Sequence, residues 1–594
     1  MLTRRCWAGL VACLAWISSS ALAQNSTPAT AEGLVGLWGT EQILAPMVSG
    51  ELTIDARGPD WRATIGGFSA SVRHEKDRLA FTLPGGQGEF RGRTTGNPRR
   101  ILGHWIQPGS IDPYNQRYAT PVELSEVSAN VWRGIVSPLE YRMSLYISID
   151  HAKDGTLTAF IKNPEANFFA GRTYSVELKG DSLTLAHPSA PEPGTFDRQT
   201  DRLLIPLLYS YPPLALTRRQ GRQAVGFFPR VGPGSERYVY RQPVAEDDGW
   251  ATASLSEVGM DVQAIEKFVE KILTAAPSLE NPVNIHSLLI ARHGKLVLEE
   301  YFYGSDKERT HDMRSASKTI APVLVGIARD RGVAIGPETP VHSLFSKYAP
   351  SANGEKRKSS MALQDLMNMA SGLAIDDADS SSPGQESRIA QQTEQPDWCK
   401  YTWDLPLARD PGGDHPIYGS ANINLVGCAL SNATRRWLPE LFGDYFARPL
   451  QIGTYHMNLM PNGEAYAGGG LYMRARDQLK LGQLYLSGGI WNGRRVVSRD
   501  WVKRSTVRHG NLRPRMDLDV NHGYGYAWHF RDHAAGGRVF HYYWAGGNGG
   551  QLIIVVPELD MVVGFTGGDY SEFRKYLRWE IELMPQYIFP AVIH

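Results

Sequence analysis

A chain of 594 residues is too long for one hydrophobic core, so we expect two to four domains. Hydrophobic residues make up 42% and charged residues 21%, which is the composition of an ordinary globular protein. The formal net charge of +1 excludes a strongly basic nucleic-acid-binding protein and gives no reason to expect an anionic membrane as partner.

The N-terminus has the pattern of a secretory signal peptide. Two arginines precede an apolar stretch that runs to about Ile17, and a run of small residues ends in Ala-Leu-Ala at Ala23. No later stretch reaches about 18 consecutive apolar residues, so no membrane span is expected. We predict that residues 1–23 are cleaved and that the protein is periplasmic or secreted, with a lipid anchor on Cys13 as the alternative.

Residues 24–230 are predicted to be all-β, because short alternating apolar and polar runs are separated by Gly, Pro, Asp and Asn. The order of runs that follows Trp38 returns after Trp132. This favours two similar small barrels or sandwiches, residues 24–130 and residues 131–230. The alternative is that the similarity is the kind that any two β-rich segments show without duplication. For this region we predict no function beyond binding or docking.

Residues 231–250 have the Gly, Pro and acidic residues of a linker. After them the sequence pattern changes from short β-type alternation to a mixture of helical and strand patterns. Helical spacing over residues 262–275, a hairpin around Gly294 and a helix over residues 317–331 predict that residues 251–594 form one large α/β domain.

Ser315 and Lys318 stand three residues apart, so on a helix their Oγ and Nζ atoms share a face. A serine becomes nucleophilic when a base takes its proton, and a lysine deprotonated by burial is such a base. At the helix N-terminus, free backbone N–H groups would favour developing negative charge on the substrate. A single pair of this kind also occurs by chance on a solvated helix face, so the neighbouring motifs decide the interpretation.

Further motifs follow in order along the domain. They are His-Ser-Leu-Leu-Ile-Ala-Arg-His-Gly at 286–294, Met-Arg-Ser-Ala-Ser-Lys at 313–318, Met-Ala-Ser-Gly-Leu at 369–373, Tyr-Gly-Ser-Ala-Asn at 418–422, Gly-Gly-Leu-Tyr at 469–472, Gly-Tyr-Gly-Tyr at 523–526 and Ala-Gly-Gly-Asn at 545–548. Together they resemble the serine hydrolases related to class C β-lactamases, which include esterases, DD-peptidases and 6-aminohexanoate-dimer hydrolases. The resemblance implies an antiparallel sheet flanked by helices, with an all-helical subdomain.

The resemblance also assigns roles. Ser315 would be the nucleophile, and Lys318 with Tyr418 would move the proton, as a histidine does in the commoner triad. An ammonium next to a phenol stabilises the phenolate, which makes this pairing coherent; in isolation, Tyr418 would be an ordinary core or cleft tyrosine. Gly547 would let the last strand approach closely, and the Asn548 amide would donate to the oxyanion beside that of Ser315.

Ser420 and Asn422 are expected to orient either Lys318 or the substrate amide, with ordinary turn hydrogen bonding as the alternative. Ala545 stands where β-lactamases carry a lysine, and the lost cation favours neutral esters or amides over carboxylate-bearing drugs. His541 is a candidate for a nearby replacement, with an ordinary structural histidine of the strand as the alternative.

Pro322 lies inside the helix that carries Ser315 and is expected to kink it. Residues 374–402 form a polar insertion that either covers the site or is a surface loop.

In an oxidising compartment Cys399 and Cys428 are able to pair, although two buried free thiols are an equal alternative.

The leading hypothesis is an exported serine hydrolase that cleaves a carboxylic ester, before an amide, through an acyl-enzyme on Ser315. The alternatives are a DD-peptidase-like or β-lactamase-like enzyme acting on cell-wall peptides or β-lactams, and a catalytically silent binding protein. No Gly-x-Ser-x-Gly elbow is present, and no metal-binding spacing or cofactor motif is found. The expected partner is a small-molecule or peptide substrate; the oligomeric state stays open.

Overall fold

The computed structural model describes residues 31–43, 47–96, 99–109, 116–167, 172–188, 191–206, 213–230, 237–275, 284–348, 356–391, 395–513 and 522–592. The predicted signal peptide and Cys13 lie outside these ranges. Among the helices described, none has the length and apolar character needed to cross a membrane.

The N-terminal region is built from strands, which confirms the all-β prediction. They are β1 (Gly36–Ile43), β2 (Gly50–Asp55), β3 (Arg62–Ile65), β4 (Phe68–Ser71), β5 (Arg73–Glu75), β6 (Arg78–Thr82), β7 (Glu89–Thr95), β8 (Arg100–Ile106), β9 (Arg117–Ser128), β10 (Val131–Val136), β11 (Arg142–His151), β12 (Leu157–Lys162), β13 (Thr173–Lys179), β14 (Ser182–Ala186), β15 (Glu192–Asp197), β16 (Arg202–Ile205) and β17 (Leu214–Arg218).

These strands form two units that do not follow the order of the predicted repeats. Strands β11 to β17 close into a barrel with β1, which pairs with both β11 and β17; we call this the closed barrel. Strands β2 to β10 form the first β unit, in which β10 pairs with β2 and β9. The strand pairing therefore crosses the boundary predicted at residue 130, because each unit incorporates the strand that opens the other repeat.

The segment over residues 237–250 packs against the C-terminal domain. Tyr238 is buried and donates a hydrogen bond from its hydroxyl to Glu300 Oε1 at 2.5 Å. Trp250 is also buried, and its indole N–H donates to the Arg476 carbonyl at 3.1 Å. This part of the predicted linker is thus held in place by hydrogen bonds and apolar burial.

The C-terminal region combines helices with one large sheet and smaller ones, as predicted. Its helices are α1 (Val262–Leu273), α2 (Ile320–Asp330), α3 (Val341–Leu344), α4 (Leu363–Met367), α5 (Glu386–Gln391), α6 (Trp398–Asp404), α7 (Ser420–Thr434), α8 (Leu438–Phe442), α9 (Ala475–Leu486), α10 (Arg499–Ser505) and α11 (Phe573–Arg578). Its strands are β18 (Ala251–Thr252), β19 (Ile285–Arg292), β20 (Lys295–Tyr301), β21 (Thr310–Asp312), β22 (Tyr455–Leu459), β23 (Leu471–Arg474), β24 (Ile490–Trp491), β25 (Arg494–Arg495), β26 (Gly510–Asn511), β27 (Gly523–Gly525), β28 (Trp528–Ala535), β29 (Arg538–Gly547), β30 (Gln551–Val556) and β31 (Met561–Gly567).

The large sheet runs in the order β18-β20-β19-β31-β30-β29-β28-β27-β26 and is antiparallel except for the short β18. Its central strand β30 is apolar on both faces, since alternate side chains enter two separate hydrophobic clusters. Leu552 and Ile554 pack on the side of α1, while Ile553 and Val555 pack on the side of α9. The sheet is therefore sandwiched between two helical layers.

A hydrogen-bonded strand path joins the first β unit to the C-terminal domain. Strand β9 pairs with β22, β22 pairs with β23, and β23 pairs with β21. Strand β21 ends at Asp312, three residues before Ser315. The first β unit is thus connected by sheet pairing to the segment that carries the candidate nucleophile.

Candidate active site

Ser315 lies in a 3-10 turn, Arg314–Thr319, that continues into α2. Arg314 has a left-handed backbone, with φ of 47°. Its amide donates to Asp312 Oδ1 at 2.8 Å, and its Nε lies 2.9 Å from Asp312 Oδ2. These contacts stabilise an unfavourable backbone conformation immediately before Ser315 and fix the start of the helical segment.

The structure brings Ser315, Lys318 and Tyr418 together. Lys318 Nζ donates to Ser315 Oγ at 2.8 Å, and it also hydrogen-bonds the Tyr418 hydroxyl. The Lys318 side chain is 1% exposed, and its Nζ is 5.3 Å from the centre of the Tyr418 ring. One amine thus contacts both the candidate nucleophile and the candidate proton carrier.

Lys318 is held as an ammonium. Burial lowers its pKa, but the Tyr418 oxygen and the carboxylates of Glu386 and Asp377 more than offset this, so the pKa of Lys318 is raised. Of the two roles open to this lysine, holding a proton or taking one from Ser315, the raised pKa favours the first. Two acidic residues that the sequence analysis did not single out supply the compensating negative charge.

Both acids come from the polar insertion and are themselves hydrogen-bonded. Asp377 Oδ2 accepts from the Ser420 amide at 2.8 Å and from its hydroxyl at 2.7 Å, and Asp377 Oδ1 accepts from the Glu386 amide at 3.1 Å. Glu386 Oε1 accepts from the Tyr466 hydroxyl at 2.5 Å. Burial, and then the charge of Glu386, raise the pKa of Asp377. The insertion is thus part of the site, at least through these two residues.

The described side-chain hydrogen bonds of Ser420 and Asn422 go to groups other than Lys318. Ser420 binds Asp377, one of the carboxylates that raise the pKa of Lys318. A role for either residue in orienting the substrate amide stays a prediction. Asn422 is buried, and its Nδ2 donates to the Gly419 carbonyl at 3.3 Å and lies 3.6 Å from the Met369 sulfur. We infer that Asn422 packs the start of α7 against the loop around Met369.

Gly547 brings the end of β29 against the nucleophile segment. A Cβ atom at this position would lie 2.3 Å from the Met313 carbonyl oxygen and 3.1 Å from the Ala316 amide, so only glycine fits. The next residue, Asn548, is exposed, and its Oδ1 accepts from the Ser571 amide at 2.8 Å. The oxyanion role of the Asn548 amide stays a prediction.

His541 does not supply a positive charge near Ala545. Ala545 is buried in the apolar cluster on the α9 side of the sheet. His541 lies toward the other end of β29, exposed and 2.7 Å from Asp532 Oδ1, so it does not replace the missing lysine. Instead His529 on β28 lies beside Tyr418, its ring nearly parallel at 6.4 Å. No sequence motif indicated His529, because its proximity depends on strand register.

Pro322 is the third residue of α2. Because α2 continues directly from the 3-10 turn that carries Ser315, the missing N–H of Pro322 falls next to the change from 3-10 to α geometry; the kink expected there stays a prediction. Cys399 on α6 and Cys428 on α7 are joined in a disulfide with a Cα–Cα distance of 6.3 Å. This bond ties the end of the insertion to the helix that begins at Ser420.

The N-terminal units reach the edge of the site. From the closed barrel, Asn167 Nδ2 donates to the Tyr570 carbonyl at 3.2 Å, and the Tyr570 ring lies 4.8 Å from the Arg314 guanidinium. From the first β unit, the Tyr118 ring packs edge-on against Tyr472 at 5.4 Å.

Within the described ranges, no group of three or more His, Cys, Asp and Glu residues is arranged to hold a metal ion.

Comparison with known proteins places this region in a family. The model of the family described as Beta-lactamase matches residues 263–582. A 6-aminohexanoate-dimer hydrolase of Paenarthrobacter ureafaciens is 27% identical over 257 residues, 42% of this chain; the chain spans 64% of that relative's length.

Similar solved structures include a beta-lactamase/D-alanine carboxypeptidase from Yersinia pestis, with a TM-score of 0.43, 16% identity and coverage of 57% of this chain and 100% of the other. A penicillin-binding protein homolog from Caulobacter crescentus has a TM-score of 0.41 and 12% identity, and the match covers 52% of this chain and 91% of the other.

The carboxylate of Asp377 is expected to hold a proton on Lys318. Replacing it by Asp377→Asn removes negative charge but keeps the shape, so the pKa of Lys318 should fall measurably. NMR titration of ¹³Cε-labelled lysine, with the resonance assigned by Lys318→Arg, measures this. The exposed Asp379→Asn on the same loop is the matched control and should leave the titration unchanged. An unshifted Lys318 titration in Asp377→Asn would contradict the electrostatic account.

Proposed function

The chain belongs to the beta-lactamase family, and from that premise we propose that it is a serine hydrolase that cleaves a carboxylic ester through an acyl-enzyme on Ser315. The observation that carries the proposal is the 2.8 Å contact between Lys318 Nζ and Ser315 Oγ inside a buried, acid-flanked site. A solvated Ser-x-x-Lys pair on a helix surface would have neither the burial nor the second contact with Tyr418.

In the first half-reaction Ser315 Oγ attacks the ester carbonyl carbon. The proton of Ser315 passes to the hydrogen-bonded pair of Lys318 and Tyr418, in which we assign the Tyr418 oxygen as the group that carries it to the leaving group. The carbonyl oxygen becomes an oxyanion, for which we assign the amides of Ser315 and Asn548 as donors. The close approach of Gly547 to the nucleophile segment supports this assignment.

The tetrahedral intermediate then collapses. The bond between the carbonyl carbon and the leaving oxygen breaks, and Tyr418 gives its proton to that oxygen, so an alcohol departs and Ser315 is left acylated. In the second half-reaction a water loses a proton to Tyr418 and attacks the acyl carbon. Release of the acid returns the proton to Ser315 Oγ and restores the starting state.

An ester is preferred to a carboxylate-bearing lactam because Ala545 brings no cation to this end of β29. A buried methyl group cannot pair with a substrate carboxylate, whereas a lysine at this position can. Amide hydrolysis is the second candidate. An amine leaves only when protonated, and the pair of Lys318 and Tyr418, which carries the proton taken from Ser315, supplies that proton; the family relative named for a 6-aminohexanoate dimer is consistent with this option.

Assays of short-chain p-nitrophenyl esters and of nitrocefin, run side by side, test the proposal. We expect ester hydrolysis by the wild type and its loss by at least about a thousandfold in Ser315→Ala, with unchanged folding, because the change removes one hydroxyl. Nitrocefin should be cleaved poorly or not at all.

The matched control is Ser317→Ala, two residues along the same turn. Ser317 is buried and its hydroxyl donates to the Arg314 carbonyl at 2.7 Å, so it is not the nucleophile, and most ester activity should remain. Undiminished turnover by Ser315→Ala would contradict the mechanism. Efficient nitrocefin cleavage would move the protein toward the enzymes that recognise β-lactams.

The proposal includes export from the cytoplasm. The Cys399–Cys428 disulfide supports it, because disulfides persist in oxidising compartments and are rare in reducing ones. We expect N-terminal sequencing of the protein isolated from the periplasm or medium to begin near Gln24. Full-length protein found only in the cytoplasm would contradict export without affecting the catalytic proposal.

A further inference from the structure

A cavity of about 790 Å³ lies between the first β unit and the α7–α8 side of the C-terminal domain. None of Ser315, Lys318 and Tyr418 lines it, so it is separate from the candidate active site. Its volume falls in the range of small-molecule sites, and the junction of two structural units is a common position for such sites. Basic side chains outnumber acidic ones in its lining by eight to six.

Four arginines converge on two carboxylates at the centre of this lining. Arg93 Nη2 lies 2.9 Å from both oxygens of Asp444, and Arg93 Nε lies 3.3 Å from Glu440 Oε1. Arg436 Nη2 donates to Glu440 Oε1 at 3.0 Å and also pairs with Asp444. Arg78 pairs with Glu440 at 3.3 Å, and Arg448 pairs with Asp444.

This cluster has more positive than negative charge. Four guanidinium groups face two carboxylates, and each guanidinium has five N–H donors, so the carboxylates cannot accept from all of them. Asp444 and Glu440 are mostly buried, with side chains 14% and 17% exposed. Burial lowers the pKa of Arg448; the Tyr455 oxygen and the Glu123 carboxylate oppose this, while the charges of Arg93 and Arg436 lower the pKa further.

The rest of the cavity wall suits the organic part of a ligand. Trp437 lies beside the cluster, with the Arg91 guanidinium stacked on its ring at 5.1 Å. Tyr348 provides a second aromatic side chain on the same wall. His104 is buried, and burial lowers its pKa to about 3, so this histidine is neutral and contributes no charge. The combination of excess guanidinium donors and aromatic faces is typical of recognition of an anionic organic molecule.

We propose that this cavity is a binding site for a small organic anion that carries two or more phosphate or carboxylate groups. Its anionic groups lie against Arg93, Arg436 and Arg448, and its organic part packs on Trp437. Because strands β6 to β8 provide one wall and α7 with α8 the other, an occupant ties the first β unit to the C-terminal domain. The site goes beyond the proposed hydrolase function and does not depend on Ser315.

Isothermal titration calorimetry of the full mature chain with pyrophosphate and with citrate, at constant ionic strength, tests the proposal. We expect one-to-one binding of at least one probe to the wild type and to Ser315→Ala alike. Affinity should fall at least about tenfold in Arg436→Gln, because a charge-assisted hydrogen bond to the anion is lost. Pyrophosphate binding alone assigns a phosphate-bearing ligand, and citrate binding alone assigns a polycarboxylate.

Two further variants separate ligand binding from structural damage. Arg99→Gln, which breaks the exposed Arg99–Glu126 pair on the same β unit, should bind as the wild type does. Ser431→Glu adds a carboxylate to the cavity lining without breaking an ion pair, and it should also weaken binding at least tenfold. Absence of binding of both probes to the wild type, or equal affinity in folded Ser431→Glu, would overturn the proposal and leave the arginines as an interface ion-pair network.

Discussion

The site depends on keeping a positive charge on a buried lysine. Removing an ammonium from water costs several kcal/mol unless nearby groups compensate for the lost hydration. Lys318 is compensated by Ser315 Oγ, the Tyr418 oxygen and the two carboxylates of the insertion. Each of these groups comes from a different segment of the chain, so one buried charge constrains the positions of the nucleophile turn, the start of α7 and the insertion together.

This constraint explains why the insertion is well anchored near the site. Asp377 is bonded to both polar groups of Ser420, and Glu386 is bonded to Tyr466. The disulfide then ties α6, at the end of the insertion, to α7. Charge compensation and covalent linkage thus act on the same two elements, and of the two alternatives for the insertion the structure favours the one in which it forms part of the active-site wall.

The sequence was sufficient for the parts of the site that follow local rules. A serine and a lysine three residues apart meet on any helical turn, and the ordered motifs around Tyr418 and Gly547 predicted the domain that the family match bears out. Asp377, Glu386 and His529 were not predictable, because their positions depend on loop closure and strand register. For the same reason the sequence left open whether Lys318 holds a proton, because the two acids that raise its pKa come from the insertion.

The N-terminal units illustrate the same limit. Alternating hydrophobicity predicted strands, yet it did not reveal that β1 joins the closed barrel while β10 joins the first β unit. Nor did it predict that β9 pairs with β22 and so connects the first β unit to the strands that precede Ser315. Pairing between distant strands depends on complementary edges, which a single sequence does not display.

The central claim is that Ser315 becomes acylated during turnover. Acid quenching of wild-type protein within the first turnovers of a p-nitrophenyl ester, followed by mass spectrometry of the intact chain and of its peptides, tests it most directly. The account predicts one acyl group per chain, located on the peptide that contains Ser315 and absent from Ser315→Ala. An acyl group on another residue, or steady ester turnover with no acylated chain and full activity in Ser315→Ala, would contradict it.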